Sequence, residues 1–112
     1  MEYTSWESVP LEVMSDMISR KIVTGDKAMV AQVFLKKDAV VPEHHHDSEQ
    51  ITYILEGALK FEIEGKEIVV RKGEVLSIPP TFRIGPWRSK TPSISTSSLR
   101  SAPTGSPRTT RT

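Results

Sequence analysis

The stretch that decides the fold runs from residue 44 to residue 57 and holds all three histidines of the chain. It reads His44-His45-His46-Asp47-Ser48-Glu49-Gln50-Ile51-Thr52-Tyr53-Ile54-Leu55-Glu56-Gly57. Residues two apart in extended backbone share a face, so His44 and His46 are predicted to point one way and His45 the other. Gln50 is an even number of residues from both histidines and is therefore predicted to lie on the same face. Its amide oxygen is predicted to join the two imidazoles at one cation. Imidazole with amide oxygen suits a divalent manganese, iron, cobalt, nickel or zinc ion.

Two other residues of this stretch are alternative ligands. Glu49 and His45 stand next to the predicted set and carry suitable oxygen and nitrogen atoms. A run of three histidines also occurs in solvated loops, where it binds metal only weakly. The histidine spacing alone leaves the choice between a metal site and an exposed loop open.

Short strand-like segments surround the histidines. They are rich in β-branched and apolar residues, and they cover residues 17–23, 27–35, 51–55, 59–64, 67–71 and 74–78. Glycines at positions 25, 57, 65 and 73 mark turns between them. In the segment 59–64, Leu59, Phe61 and Ile63 alternate with charged residues, as in a strand with one buried face. Close spacing without a helical segment predicts an all-β sandwich or barrel.

The combination of motifs resembles the cupin family. The first cupin motif is, loosely, His-x-His, three or four residues, Glu or Gln, six residues and Gly, and His44, His46, Gln50 and Gly57 match it. The second motif begins with Gly, five residues and Pro, and the chain has this spacing over residues 73–79. The resemblance implies a double-stranded β-helix, or jelly roll, over residues 1–80, with the metal site at the mouth of the barrel.

The resemblance also implies an activity. The run from residue 41 to residue 57 is similar to the sugar-acid branch, which includes the ring-opening cupins of pectin degradation. Such enzymes carry out a metal-dependent isomerase or lyase type of reaction, in which a nearby acid or base moves a proton to open an unsaturated uronate ring. Arg20 is a candidate to hold the substrate carboxylate, and Tyr53 is a weaker candidate for substrate contact. Surface exposure is the alternative for Arg20, and packing is the alternative for Tyr53.

A second functional hypothesis is non-enzymatic. A cupin barrel also serves as a sensor that binds a small ligand or a metal without turnover, and fold alone does not separate the two. The family's second motif continues to a histidine that completes the metal site, yet no histidine follows His46 in this chain. The incomplete ligand set leaves catalysis open.

The composition changes after Pro80. Residues 1–74 hold all 14 acidic residues and a net charge of −5, whereas residues 75–112 hold six basic residues and no acidic one. Residues 81–112 contain seven serines and seven threonines, without a sustained period of apolar residues. This composition predicts a basic, disordered tail over residues 81–112 and a barrel that is incomplete at its C-terminus.

A change of reading frame is one explanation of the abrupt transition after Pro80. One added base after the Pro80 codon permits a synonymous reading that begins at position 81 as N-V-P-H-R-A-V-A-L-E-D-T-V-D-L-D-V-F. This reading contains the Pro-His pair, an Asp-x-Phe segment, acidic residues and alternating strands. Trp87 has a single codon and Lys90 has two, which limits how far the choice of synonymous codons can shape this reading. The hypothesis is that residues 81–112 are a frameshift product; a genuine divergent tail is the alternative.

Length and composition set further expectations. With 112 residues the chain is expected to form one domain, and without cysteine it has neither a disulfide nor a thiolate ligand. The N-terminus lacks a signal-peptide pattern and no apolar run is long enough to span a membrane, so a cytoplasmic protein is expected. The expected partner is a small molecule, and the resemblance adds a homodimer. The basic tail predicts only weak, salt-sensitive attraction to nucleic acid.

Overall fold

The computed structural model describes residues 3–42 and 48–100, whose regular structure is β apart from one 3-10 turn, Trp6–Ser8. The strands are β1 Glu12–Val13, β2 Ile18–Thr24, β3 Ala28–Leu35, β4 Val40–Val41, β5 Glu49–Glu56, β6 Ala58–Ile63, β7 Lys66–Arg71, β8 Val75–Ile78, β9 Trp87–Ser89 and β10 Ser93–Arg100. All six segments predicted as strands from the sequence overlap observed strands. The all-β class is confirmed.

The strands form two antiparallel sheets packed face to face. The larger sheet has the order β1-β2-β3-β10-β5-β8, and the smaller sheet has the order β4-β9-β6-β7. Large apolar side chains fill the space between the sheets, and Ile54, Leu59, Phe61 and Ile78 are each at most 2% exposed. Burial of these residues supplies the main stabilisation of a small two-sheet domain. The architecture is the predicted jelly roll.

Two turns need backbone that favours glycine. In the β6–β7 hairpin both Glu64 and Gly65 have positive φ, the pattern of a tight two-residue turn. Between β5 and β6, Gly57 has φ 81°, and a Cβ atom there would lie 2.5 Å from the carbonyl oxygen of Pro92. Gly57 therefore meets two requirements at once, a left-handed backbone and close approach of a neighbouring chain segment.

The C-terminal segment is not disordered where the structure describes it, so this part of the domain prediction is wrong. Strand β9 lies between β4 and β6, and strand β10 lies between β3 and β5. Their backbone groups pair with strand edges that would otherwise be open, and this pairing needs no apolar side chains. Two central positions, one in each sheet, are thus filled from residues 81–100. Residues 101–112 lie outside the described residues.

Candidate functional site

The candidate site begins at Gln50 on strand β5. Burial alternates along this strand, with Gln50 at 5% exposure and Thr52 and Ile54 at 0%. These three side chains point between the two sheets, because successive residues of a strand face opposite sides. The structure therefore places Gln50 in the interior, on the side that the sequence predicts for the metal ligand.

The three histidines precede Gln50 by four to six residues in the sequence. His44, His45 and His46 lie outside the described residues, which end at Pro42 after β4 and resume at Ser48 before β5. The stretch that contains them thus joins the smaller sheet to the larger one, directly ahead of Gln50. Among the residues that the structure describes, no group of three His, Cys, Asp or Glu side chains comes together to hold a metal ion.

A short chain of hydrogen bonds fixes the side chain of Gln50. Its Nε2 donates to Oγ1 of Thr52 over 2.9 Å, and Thr52 Oγ1 lies 3.0 Å from Oγ of Ser97 on β10. The two ends of an amide group point in different directions, so binding Nε2 to Thr52 turns Oε1 away from it. The oxygen end is the end that coordinates a cation, and the orientation of Gln50 therefore fits the predicted ligand role.

Thr52 and Ser97 were not among the residues predicted for the site. Thr52 could have been found from the sequence, since it is two residues from Gln50 in a strand and must share its face. Ser97 could not, because its contribution depends on β10 pairing with β5, where Ser97 lies directly opposite Thr52.

Two predicted candidates lie on the other face of β5. Glu49 is exposed and stands opposite Arg100, and Tyr53 is 44% exposed and stands opposite Val75. The same alternation that buries Gln50 turns both side chains to the outer surface of the larger sheet. The structure therefore does not bring Glu49 or Tyr53 to the interior site.

Arg20 faces the inner side of the larger sheet but already has a partner. It lies opposite Val33 and shares the inner side of β2 with Ile18 and Ile22. Its Nε donates to Oε1 of Glu12 over 2.5 Å, and its side chain is 36% exposed. Strands β3 and β10 separate β2 from β5, and the register places Arg20 level with Ile54, four residues along β5 from Gln50, so Arg20 and Gln50 are about 20 Å apart at the backbone. The structure therefore does not bring Arg20 next to Gln50.

An apolar side chain occupies the position where the shifted reading has the second-motif histidine. Ile84 is 1% exposed and forms an isolated bridge with Ile63 at the end of β6. Packing there stabilises the core but offers no lone pair to a cation. The interior site as described therefore has one suitably oriented oxygen ligand, Gln50, supported by two hydroxyl groups.

The fold and this interior site define a small antiparallel β-sandwich in which the polar side chains of Gln50, Thr52 and Ser97 face inward between the two sheets. The cupin domain family model matches residues 31–84, from β3 to the bridge at Ile84. This part of the chain matches the cupin domain, and the two-sheet jelly roll is the cupin fold. No helix in the described ranges is long and apolar enough to cross a membrane.

One relative is similar in sequence, and two solved structures are similar in fold. The pectin degradation protein KdgF of Dickeya dadantii is 34% identical over 70 residues, which cover 61% of this chain and 64% of that protein. The solved structure of an RmlC-like cupin from Shewanella frigidimarina NCIMB 400 has a TM-score of 0.83 at 19% identity, covering 93% of this chain and 94% of the other. KdgF from Halomonas sp. has a TM-score of 0.80 at 22% identity, covering 93% and 96%.

Proposed function

We propose that this chain is a metal-binding cupin whose ligand is a small sugar acid of the kind released from pectin. The observation that carries the proposal is the 34% identity to the pectin degradation protein KdgF over 70 residues. The inward orientation of Gln50 supports it, because the amide oxygen faces the interior in which a cupin ligand binds. Since the match spans 64% of that relative, the activity of the whole relative is carried over only as a proposal.

The residues proposed to hold the metal are His44, His46 and Gln50. When bound, the cation would supply a Lewis acid that polarises a hydroxyl or carbonyl oxygen of the sugar. Thr52 would keep the oxygen of Gln50 directed at the cation by holding the amide nitrogen. Arg20, on the same side of the larger sheet, would release the carboxylate of Glu12 and bind the substrate carboxylate in its place.

We propose further that this chain is impaired relative to its relatives. Ile84 offers no ligand where the shifted reading of residues 81–112 has histidine, and loss of one ligand weakens metal binding strongly. The same reading places Val, Leu and Val at positions 93, 95 and 97, which are buried serines in this chain. Apolar residues at buried positions support the hypothesis that residues 81–112 are a frameshift product.

Metal binding is tested by calorimetry with manganese, nickel and zinc, together with metal analysis of the dialysed protein. We expect His46→Ala to abolish stoichiometric binding and His45→Ala to leave it nearly intact, because only His46 shares the parity of His44 and Gln50. Thr52→Val should weaken binding about tenfold by releasing the amide of Gln50. Equal losses in the two histidine variants would contradict the proposed ligand set.

Turnover is tested with an unsaturated uronate, followed by its ultraviolet absorbance, with and without a chelator. We expect weak turnover that the chelator removes, and at least tenfold faster turnover in a chain whose residues 81–112 carry the shifted reading. Matching metal affinity and rates in the two chains would contradict the proposed impairment. Sequencing the coding DNA beyond the Pro80 codon tests the frameshift itself.

A second candidate function is a non-enzymatic sensor. The apolar Ile84 favours it, because it supplies neither a metal-coordinating atom nor a group that transfers protons. Such a site can still bind a small molecule without reaction. Saturable binding of the uronate by calorimetry, with no change in its absorbance over hours, would favour the sensor over the enzyme.

A further inference from the structure

The outer face of the smaller sheet carries three basic side chains close together. Burial alternates along β6 and β9, and Lys60 and Arg88 take outward positions between buried neighbours. The strand register places these two residues directly opposite each other. Lys90 follows β9, and its backbone N–H donates to the carbonyl oxygen of Ala58 over 3.2 Å, beside the start of β6. We call Lys60, Arg88 and Lys90 the basic cluster.

A hollow of about 280 Å³ lies among the three side chains of the basic cluster. Asp38 and Ser89 complete its lining. The backbone N–H of Asp38 donates to the carbonyl oxygen of Ser89 over 2.9 Å, which holds the turn before β4 against β9. One water molecule occupies about 30 Å³ of liquid, so the hollow has room for an anion together with some of its hydration water.

The positive charge of the basic cluster is only partly balanced. Nζ of Lys60 lies 2.8 Å from Oε2 of Glu67 on β7. Within the described parts of the chain neither Arg88 nor Lys90 forms an ion pair, although the acidic Asp38 lines the same hollow. Two like charges directly opposite on neighbouring strands destabilise a sheet. An anion in the hollow would offset this repulsion and bind to the donors of Arg88 and Lys90.

We propose that the basic cluster binds the phosphate group of a small molecule. The guanidinium of Arg88 is a planar fork that matches two oxygens of a phosphate, and the ammonium groups of Lys60 and Lys90 are point charges on flexible stems beside it. A phosphate monoester carries about −1.5 to −2 charges at pH 7 and has three acceptor oxygens. It therefore suits three cations better than a carboxylate, which has one charge and two oxygens.

The proposed phosphate site is separate from the interior site. The side chains of the basic cluster lie on the outside of the smaller sheet, whereas Gln50 points between the sheets. Two of the three cations also come from the segment after Pro80, where the shifted reading has alanine at position 88 and glutamate at position 90. The phosphate site thus belongs to this chain as written, and it depends neither on the proposed metal nor on the proposed sugar acid.

The test is a titration of the full chain followed by nuclear magnetic resonance, after a chelator has removed metal and has itself been dialysed away. Inorganic phosphate and glycerol phosphate are the probes, and acetate is the control anion. We expect the backbone amide signals of Arg88 and Lys90 to shift saturably with both probes, and acetate to bind at least about tenfold more weakly. Tighter binding of glycerol phosphate would identify a phosphate ester as the ligand, and tighter binding of inorganic phosphate would identify the free ion; both results support the site.

Variants that each remove one positive charge separate the basic cluster from the net charge of the chain. Arg88→Gln should weaken phosphate binding about tenfold by removing the guanidinium fork, and Lys90→Gln about threefold by removing an exposed point charge. Lys27→Gln is the matched control, because Lys27 is exposed in the turn between β2 and β3 of the larger sheet. It should change binding by less than about twofold, since salt screens distant charges. All three positions are exposed, so far-ultraviolet circular dichroism should stay unchanged.

A fourth variant is expected to act in the opposite direction. Glu67→Gln removes the carboxylate that pairs with Lys60, so phosphate should bind about threefold more tightly. Equal losses in Arg88→Gln and Lys27→Gln would overturn the proposal, as would amide shifts that do not saturate by about 20 mM phosphate. Acetate that binds as tightly as phosphate would overturn the assignment of the ligand.

Discussion

The core is apolar where β6 and the C-terminal half of β5 line it, and rich in hydroxyl groups where β10 and the end of β9 line it. The first pair of strands buries Ile54, Leu59 and Phe61, while Ser95 and Ser97 occupy equally buried positions on the strand next to β5. A serine at such a position removes little apolar surface from water. Strand β10 thus holds its central place in the larger sheet mainly through backbone pairing, whereas β9 also contributes Trp87 to the apolar core.

Hydrogen bonds satisfy only part of this hydroxyl-rich region. Ser89 and Ser93 bond to each other and to the carbonyl oxygen of Thr91. Within residues 3–42 and 48–100, by contrast, Ser95 Oγ and Trp87 Nε1 are buried without any partner. Each such atom costs about 1–3 kcal/mol of desolvation free energy. A strand such as β10 is therefore central in the sheet topology and yet contributes little to stability.

The largest expected effect comes from removing the aromatic centre of the apolar region. Phe61 is fully buried and stacks on Trp87 with 4.9 Å between ring centroids. Phe61→Ala should lower the free energy of unfolding by about 3–5 kcal/mol in urea titrations. Phe82→Ala, at a 41% exposed position, is the control and should change it by less than about 1 kcal/mol.

Phe61→Ala removes much of the stability of a small domain, so Phe61→Leu provides a milder second variant. It should cost about 1–2 kcal/mol, because Leu fills most of the same volume but loses the ring contact. Equal effects of Phe61→Ala and Phe82→Ala would contradict the view that β6 carries the packing energy.

The second prediction concerns the turn that joins the apolar strands. Gly57→Ala should destabilise the fold by about 3 kcal/mol, since the positive φ is strained and the new Cβ meets the backbone of Pro92. Gly65→Ala shares the φ of 81° but has nothing within 4 Å of the added atom, and it should cost only about 1 kcal/mol. The difference between the two in urea unfolding measures the clash alone. Identical costs would show that Pro92 moves freely out of the way.

The third prediction concerns the hydroxyl-rich region, where we expect a substitution to increase the free energy of unfolding. Ser95→Ala should raise the free energy of unfolding by about 1 kcal/mol, because it deletes a buried hydroxyl that has no partner in the described chain. The control Ser98→Ala, at a partly exposed position on the outer face of the same strand, should change stability by less than about 0.5 kcal/mol. A loss of stability in Ser95→Ala would mean that its hydroxyl is satisfied.

The sequence predicted the apolar region well because its signal is local. Alternation at Leu59, Phe61 and Ile63 identifies the inner face of β6, and glycines at 57 and 65 mark the turns beside it. Strand β10 carries no such signal. Its inner face is Ser93, Ser95 and Ser97, and these residues become a strand only because the edges of β3 and β5 are available to pair with them. That cause lies in tertiary structure, outside any local pattern.

The candidate site divides in the same way. Parity along β5 predicted that Gln50 faces inward, and the structure agrees. The same rule, applied to Glu49 and Tyr53, would have turned both outward, so their selection as site residues came from the resemblance and from residue type alone. The prediction for His44 and His46 stays a prediction, since they lie outside the described residues.

The smallest expected effect concerns Ser97, the residue of the hydroxyl-rich region that contacts Thr52 in the candidate site. Ser97 lies on the same strand and face as Ser95, but its Oγ is 3.0 Å from Thr52 Oγ1. Ser97→Ala should therefore lower the free energy of unfolding by about 0.5–1 kcal/mol, whereas Ser95→Ala raises it. The free energy of unfolding in urea is compared among the two single variants and the double variant, in which the two effects should nearly cancel. Stabilisation by Ser97→Ala would show that the bond between Thr52 and Ser97 contributes nothing, and that Gln50 is held by Thr52 alone.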